Sequence, residues 1–129
     1  MVYSLTMATP YRATELFQQT QSTGQFVKRA YIIRSEFINP DLFDAVIEEH
    51  RDYLEKLAAD GTLFAAGPFV PGGSESLYSG VGMIVVYADS EDDARLIAEN
   101  DPMHRRGVRK FTIDFWLLKH IAHSYKEIL

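Results

Sequence analysis

The 129-residue sequence contains no cysteine and a single tryptophan, and acidic side chains outnumber basic ones. Without cysteine the chain can form neither a disulfide framework nor a thiolate metal site, and it has no thiol nucleophile. The formal net charge of −5 disfavours general binding to nucleic acid or to an anionic membrane, because proteins that bind them present basic surfaces. These absences exclude zinc fingers and cysteine enzymes, and they predict no nucleic-acid partner.

Long apolar runs are also missing. No stretch reaches the roughly 18 apolar residues that a membrane-spanning helix needs, and the N-terminus lacks the charged and apolar regions of a secretory signal. We therefore expect a cytoplasmic protein with no membrane partner. Hydrophobic residues nevertheless make up 47% of the chain, which at this length is enough to bury the core of about one domain.

Strand-like and helix-like patterns alternate along most of the chain. β-branched and aromatic residues predict strands at four places, namely residues 26–34, 62–69, 82–88 and 110–119. Amphipathic spacing predicts a first helix over 40–60, capped by Asn39 and ended by Gly61, and a second helix that is capped by Ser90 and ends near Asn100.

We interpret residues 25–120 as one domain. Residues 1–24 form an N-terminal extension, in which Thr9 and Pro10 can start a short helix by their cap and first-turn preferences. Residues 121–129 form a C-terminal tail. The glycine-rich and serine-rich stretch between the second and third strands predicts a flexible loop over 70–80.

The predicted order βαββαβ defines an α+β, ferredoxin-like fold with a four-stranded antiparallel sheet and both helices on one face. The third and fourth strands are apolar on both sides, so the helices leave one apolar face bare. We expect Trp116 and Val86 on that bare face. Burial against an identical sheet across a two-fold axis then predicts a homodimer or a higher oligomer.

The end of the second helix carries an unusual carboxylate. Asp101 follows this helix at the end where the dipole disfavours a negative charge by a few tenths to about 1 kcal/mol. The apolar positions of the helix are Ala94, Ile97 and Ala98, and the same stripe continues to Asp101. His50 occupies the apolar face of the first helix, so the spacing predicts an inward-facing pair of His50 and Asp101 between the helices and the sheet.

Three sequence features occur in the order and spacing of a known family. They are a histidine followed by "YLEKLAADG" in the first helix, "AAGP" after the second strand, and "DP" with an apolar residue and a glycine loop after the second helix. Over about residues 26–120 the sequence resembles the YCII-related family of the dimeric α+β barrel superfamily. It departs from the family pattern in its long N-terminal extension and in the polar "MHRRG", where the family more often has an aromatic residue at Met103.

The resemblance implies a ferredoxin-like fold that pairs into a dimeric α+β barrel, and it places the family's active-site dyad on His50 and Asp101. Members include a dehydrochlorinase of a chlorinated hydroxyhydroquinone, and muconolactone isomerases share the wider fold. His50 is then a general acid or base on a small cyclic or aromatic-derived metabolite, and Asp101 orients its ring. Such proton transfer requires no metal and no organic cofactor.

Further residues are candidates for substrate binding. They are Tyr31, Phe64, Gly67, Pro68, His104 and Arg105. Arg106 and Arg109 belong to the same basic run as Arg105 and could bind a substrate carboxylate. His104 could also complete a zinc site with His50 and Asp101, although we expect no metal.

The alternative to an enzyme is a non-catalytic module that binds a small ligand or assembles into oligomers. In that case His50 is a buried core histidine and Asp101 bonds backbone amides of its own loop. A closed cleft with both ring nitrogens of His50 on backbone groups would favour the module. An open cleft with His50 in hydrogen-bond reach of Asp101 would favour catalysis.

Overall fold

A four-stranded antiparallel sheet is the centre of the computed structural model, which describes residues 10–25 and 27–122. In chain order the elements are α1 (Ala13–Ser22), β1 (Lys28–Phe37), a short 3₁₀ helix (Pro40–Leu42), α2 (Phe43–Ala59), β2 (Leu63–Pro68), β3 (Val81–Tyr87), α3 (Glu91–Asn100), α4 (Pro102–Arg105) and β4 (Arg109–Leu118). Across these residues no helix is both long and apolar enough to cross a lipid bilayer.

The strand order is β2-β3-β1-β4, with β1 pairing antiparallel to both β3 and β4. Ile33 marks the middle of the sheet, opposite Ile84 on one side and Ile113 on the other. Because the two βαβ crossovers are interleaved in this way, both long helices pack on the same face. The ferredoxin-like α+β fold expected from the sequence is confirmed.

The helix-covered face of the sheet contains one of the apolar clusters. Its buried members are Tyr31, Ile33, Ile84, Val86, Ala94 and Ala98. Val86 pairs with Tyr31, whereas Trp116 pairs with Ala30 on the next register position. Since successive side chains of a strand point to opposite faces, Val86 lies beneath the helices, and the expectation that it shares the bare face with Trp116 is wrong.

The ends of α2 and α3 follow the sequence signals in three of four cases, and α3 ends at Asn100 as expected. Ser90 Oγ accepts the backbone N–H of Asp93 at 3.1 Å, as expected for a cap, and Gly61 follows α2 with a φ of +83°. Asn39 does not cap α2, because the 3₁₀ turn intervenes and the Asn39 amide instead donates to the Gly107 carbonyl at 2.8 Å. Asn39 therefore ties the start of α2 to the turn before β4.

The N-terminal extension contributes α1. The expected cap Thr9 lies outside the described residues, and the helix begins at Ala13, after Arg12. The ring of Phe17 lies 4.1 Å from the Arg29 guanidinium on β1, which is within the range of a cation–π contact. Together with the buried Thr20, this contact attaches α1 to the strand region of the domain.

Candidate active site

A cavity of about 460 Å³ lies between α2 and the helix-covered face of the sheet. Its polar lining consists of Ser35, His50, Arg51, Tyr78 and Arg109. The rest of the wall is apolar or backbone: Phe37, Phe43, Ile47, Leu54, Ala66, Gly67, Pro68, Gly82, Met83, Ile84 and Met103. A mostly apolar cavity of this size with a few polar groups is typical of a small-molecule site.

His50 and Asp101 form a hydrogen-bonded pair at this cavity. His50 Nδ1 lies 2.8 Å from Asp101 Oδ1 and 3.0 Å from Oδ2. A carboxylate only accepts hydrogen bonds, so Nδ1 donates, and in the neutral ring Nε2 is the unprotonated nitrogen. Within residues 10–25 and 27–122, Nε2 has no hydrogen-bond partner. Because His50 lines the cavity, the free nitrogen is available to a ligand.

Asp101 is held rigidly by the turn that follows α3. Its side chain is 2% exposed, and Oδ1 also accepts the backbone N–H of Met103 at 2.9 Å. Asp101 is thereby the N-cap of α4, with Pro102 in the first turn. The carboxylate thus lies at the positive, N-terminal end of α4, where the helix dipole stabilises a negative charge. This stabilisation offsets the unfavourable position of Asp101 at the C-terminal end of α3.

The helix α4 lies in a stretch for which the sequence predicted a loop. Two signals could have indicated it, because an aspartate directly before a proline combines a cap residue with a first-turn residue. Met103 is 1% exposed and packs with Val46 of α2 and with Val108. This apolar contact fixes α4, and with it Asp101, beneath α2.

Tyr53 joins the two long helices beside the pair. Its hydroxyl donates to the Ile97 carbonyl at 2.7 Å. Burial, with a smaller contribution from the Asp101 charge, raises the pKa of Tyr53 to about 12. The phenol therefore stays protonated near neutral pH and keeps donating to α3.

His104, a candidate for substrate binding, does not line the cavity, but it contacts the lining residue Ser35, which was not expected from the sequence. His104 Nδ1 lies 2.7 Å from the Ala98 carbonyl oxygen, and its Nε2 lies 2.8 Å from Ser35 Oγ. Because a carbonyl only accepts, Nδ1 donates to Ala98 and the Ser35 hydroxyl donates to Nε2 of the neutral ring. Ser35 is a cavity-lining residue that sequence reasoning missed, since a serine in an apolar strand gives no signal of its own.

His104 does not complete a metal site with the pair. Both of its ring nitrogens already have partners, Ser35 and Ala98. In the part of the chain that the structure describes, no group of three or more histidine, cysteine or acidic side chains could hold a metal ion.

His104 should make the stability of the protein depend on pH. Burial lowers the pKa of His104 below the ordinary 6.5. As the pH falls below 6.5, the His104 ring is therefore protonated in the unfolded chain while it stays neutral in the folded chain. This contribution to stability is complete above 6.5 and is lost as the pH falls below it, by at most about 1.4 kcal/mol per pH unit. Urea unfolding across this range should show a steeper loss for the wild type than for His104→Gln. Parallel profiles would contradict the assignment of a buried, neutral His104.

The structure brings some of the other candidate residues to the cavity and leaves others away from it. Gly67 and Pro68, at the end of β2, line it. Tyr31 does not, because its ring packs in the core with its centroid 5.2 Å from that of Phe115. Arg105 points outward, with 57% of its side chain exposed and Nη2 at 4.0 Å from Glu49.

Phe64 lies on the opposite face of the sheet. The register of β2 against β3 shifts between Leu63 and Ala65, which inserts an extra residue at Phe64. Its ring packs near Tyr87 at a centroid distance of 5.8 Å, in the cluster of the uncovered face. Leu63 packs in the cluster under the helices, so ordinary alternation places Phe64 on the opposite face. The extra residue then returns Ala66 to the helix-covered face, opposite Ile84.

The fold and the site define a small ferredoxin-like α+β protein with a histidine–aspartate pair at an apolar cavity. The model of the YCII-related domain matches residues 30–116. The chain belongs to the YCII-related family, as its sequence motifs indicated. No curated protein matches the chain.

Among solved structures, the chain is similar to 5-chloro-2-hydroxyhydroquinone dehydrochlorinase from Burkholderia phenoliruptrix in complex with 2,5-dihydroxybenzoquinone, at 24% identity and a TM-score of 0.53. The match covers 73% of this chain and 97% of that one. A dimeric ferredoxin-like protein from an uncultured marine organism is 21% identical, with a TM-score of 0.46 over 75% of this chain and 100% of that chain.

Proposed function

We propose that the protein is a cytoplasmic enzyme that transfers protons on a small cyclic or aromatic-derived metabolite, with His50 as the general acid or base. The observation that carries the proposal is the 2.8 Å contact between His50 Nδ1 and Asp101 at a residue that lines a cavity of about 460 Å³. Asp101 orients the imidazole and stabilises its protonated form. The reaction is an elimination or an isomerisation, and imidazole proton transfer needs no cofactor for either.

The proposed elimination balances without a further reactant. Nε2 of His50 removes a proton from a carbon or hydroxyl of the substrate, the electron pair moves into the ring system, and chloride leaves with the electrons of its bond. In an isomerisation the same nitrogen returns the proton at a second carbon. Either way the imidazolium loses its proton again, to water or to product, and His50 is restored.

The geometry of the site and the similarity to known proteins support this proposal over a non-catalytic module. The cavity is open to ligands, and one ring nitrogen of His50 is free of hydrogen bonds from the described residues. The other nitrogen is bonded to a side-chain carboxylate, which is the arrangement of a base and its orienting group. Membership of the YCII-related family and the fold shared with a dehydrochlorinase support the reaction type.

The direct test is a turnover screen with chlorinated and unchlorinated hydroxyquinols and with lactones from ring cleavage. Chloride release and loss of the starting spectrum are measured for the wild type, His50→Gln and Asp101→Asn. We expect turnover of at least one ring compound by the wild type alone. If both variants fold and keep full turnover of an identified substrate, the proposed dyad is wrong.

We also propose that the uncovered face of the sheet pairs with a second copy of the chain, as in a dimeric α+β barrel. Trp116 is 39% exposed there, beside Ala30, Ile32 and Tyr87, which share the face by register. An aromatic side chain next to an apolar sheet surface is typical of a buried contact between subunits.

Replacing Trp116 by aspartate should therefore convert a dimer into a monomer. A charge introduced at this contact would lose its hydration on association, which commonly costs several kcal/mol of association free energy. Light scattering coupled to size exclusion measures the mass. Leu96→Asp is the matched control, since Leu96 is a 57% exposed leucine on α3, away from this face. A monomeric wild type, or a Trp116→Asp protein that stays dimeric, would refute the pairing.

A further inference from the structure

The wall of the cavity contains a guanidinium that is fixed on several sides. Arg109 Nη1 donates to the Gly80 carbonyl at 2.9 Å and to the Ser35 carbonyl at 3.2 Å. Its Nη2 donates to Tyr78 Oη at 2.8 Å. The guanidinium carbon also lies 4.0 Å from the centroid of the Phe37 ring, in a cation–π contact. Arg109 is thus preorganised before any ligand binds.

The charge of Arg109 has no counterion among the described residues. Arg51 pairs with Glu48, and Arg106 pairs with Glu49, but no described carboxylate lies within 4.0 Å of Arg109. None of the described residues that line the cavity is acidic. An unneutralised cation in a mostly apolar cavity attracts an anionic ligand more strongly than the same cation would in water.

The hydrogen-bond donors left on Arg109 suit a carboxylate. The three contacts use three of its five N–H groups, so one Nη2–H and Nε–H remain within the described part of the chain. Two N–H groups are what a bidentate arginine–carboxylate pair uses. The Tyr78 oxygen accepts from Arg109, so the hydroxyl hydrogen is free to donate to the same ligand.

The loop before β3 maintains this arrangement. Gly80 has a φ of +89°, a conformation that other residues rarely adopt, and a Cβ there would lie 2.5 Å from Cδ2 of Phe37. The glycine thereby lets the backbone approach the Phe37 ring and present its carbonyl to Arg109. The loop that carries Tyr78 is therefore attached to the cavity wall through Arg109.

We propose that Arg109 and Tyr78 bind the carboxylate of a small ring-containing acid, whose ring lies along the apolar wall toward His50. The ring fits this wall because Phe37 and Phe43, with ring centroids 5.6 Å apart in an edge-to-face contact, both line the cavity. The part of this inference that concerns reaction at His50 rests on the proposed function. The binding itself does not, which allows the two to be tested separately.

The test is calorimetric titration of the full chain with benzoate and with benzamide, its neutral counterpart of the same shape. Benzoate should bind at millimolar or lower concentration and benzamide at least tenfold more weakly. Arg109→Gln should weaken benzoate binding by about tenfold to a hundredfold, the usual effect of losing charged hydrogen bonds, with little effect on benzamide. Tyr78→Phe, which keeps the arginine and its backbone contacts, should weaken benzoate binding by about threefold to tenfold.

Arg34→Gln is the matched control. Arg34 also lies on a sheet strand, and its guanidinium carbon lies 5.2 Å from the centroid of the Phe69 ring. Its register nevertheless places it on the opposite face of the sheet. Benzoate binding should not change in this variant. Equal binding of benzoate and benzamide, no binding of either, or full benzoate affinity in Tyr78→Phe and in a folded Arg109→Gln would overturn the proposal.

The His50→Gln variant separates this inference from the proposed function. It should bind benzoate within about threefold of the wild type, because the carboxylate contacts lie on Arg109 and Tyr78. A wild type that binds benzoate but turns over none of the ring compounds in the screen would support the anion site and count against the catalytic proposal. Benzoate binding that depends on His50 and not on Arg109 would overturn the anion site.

Discussion

Replacing His50 by glutamine is expected to lower kcat/KM for an identified substrate by about 10²- to 10⁴-fold, the range that a positioned general acid or base contributes. The glutamine amide can still form a hydrogen bond with a ligand in the cavity, but it cannot take up or release a proton near neutral pH. Since His50 is only partly buried, the folded structure should persist, and the loss should fall on kcat more than on KM. Steady-state kinetics with chloride or spectral detection measures the change.

The pH profile distinguishes a catalytic role of His50 from a purely structural one. A general base gives kcat/KM that rises with the fraction of neutral imidazole, and this limb should vanish in the residual activity of His50→Gln. His120→Gln is the control, because His120 is an exposed histidine after β4, and its kinetics should match the wild type. Unchanged kcat/KM in His50→Gln would remove His50 from the mechanism.

The positions of His50 and Asp101 could be predicted because the helical repeat determines them. A residue four positions after Ile97 continues the buried stripe of α3, and His50 lies three residues from Ile47 on the covered face of α2. The strand order follows from the same local patterns together with the handedness of βαβ connections. Periodicity therefore predicted the fold and the contact between the two side chains.

The remaining parts of the site depend on features that periodicity does not encode. The facing of Ala66 toward the cavity depends on one extra residue in β2, and the α4 turn depends on the packing of Met103 against Val46 and Val108. Ser35 meets His104 across 69 residues of chain. The orientation of Arg109 depends on the loop that ends at Gly80. The contacts of Met103, Ser35 and Arg109 join residues that are far apart in the chain, so the local sequence pattern does not predict them, although Asp101 before Pro102 signals the start of α4.

Asp101 is expected to show the largest combined effect on stability and activity, and two substitutions separate its roles. Asp101→Ala removes the cap on the Met103 N–H, which is worth about 0.5–2 kcal/mol. It also leaves the Nδ1–H of His50 without its acceptor, at about 1–3 kcal/mol. We expect the free energy of unfolding to fall by about 2–4 kcal/mol, measured by urea unfolding near neutral pH.

Asp101→Asn should keep most of the stability and lose the activity. Both the Met103 N–H and the His50 Nδ1 contact Oδ1, so an amide oxygen in the same place can preserve the cap. The amide nitrogen then takes the position of Oδ2, 3.0 Å from Nδ1, where its hydrogens favour the tautomer protonated at Nε2. That tautomer cannot act as a base toward the cavity, and we expect kcat/KM to fall by about 10²- to 10⁴-fold.

The surface carboxylate Asp92 in the first turn of α3 provides the control for both variants, since Asp92→Asn should change stability by less than about 0.5 kcal/mol and leave kinetics unchanged. Nitrogen NMR of His50 reports the tautomer directly, with protonated Nδ1 in the wild type and protonated Nε2 in Asp101→Asn. A stable Asp101→Asn with the wild-type tautomer and full activity would mean that Asp101 only caps α4. The reverse result, loss of activity together with the tautomer change, would show that the carboxylate acts through the orientation of His50.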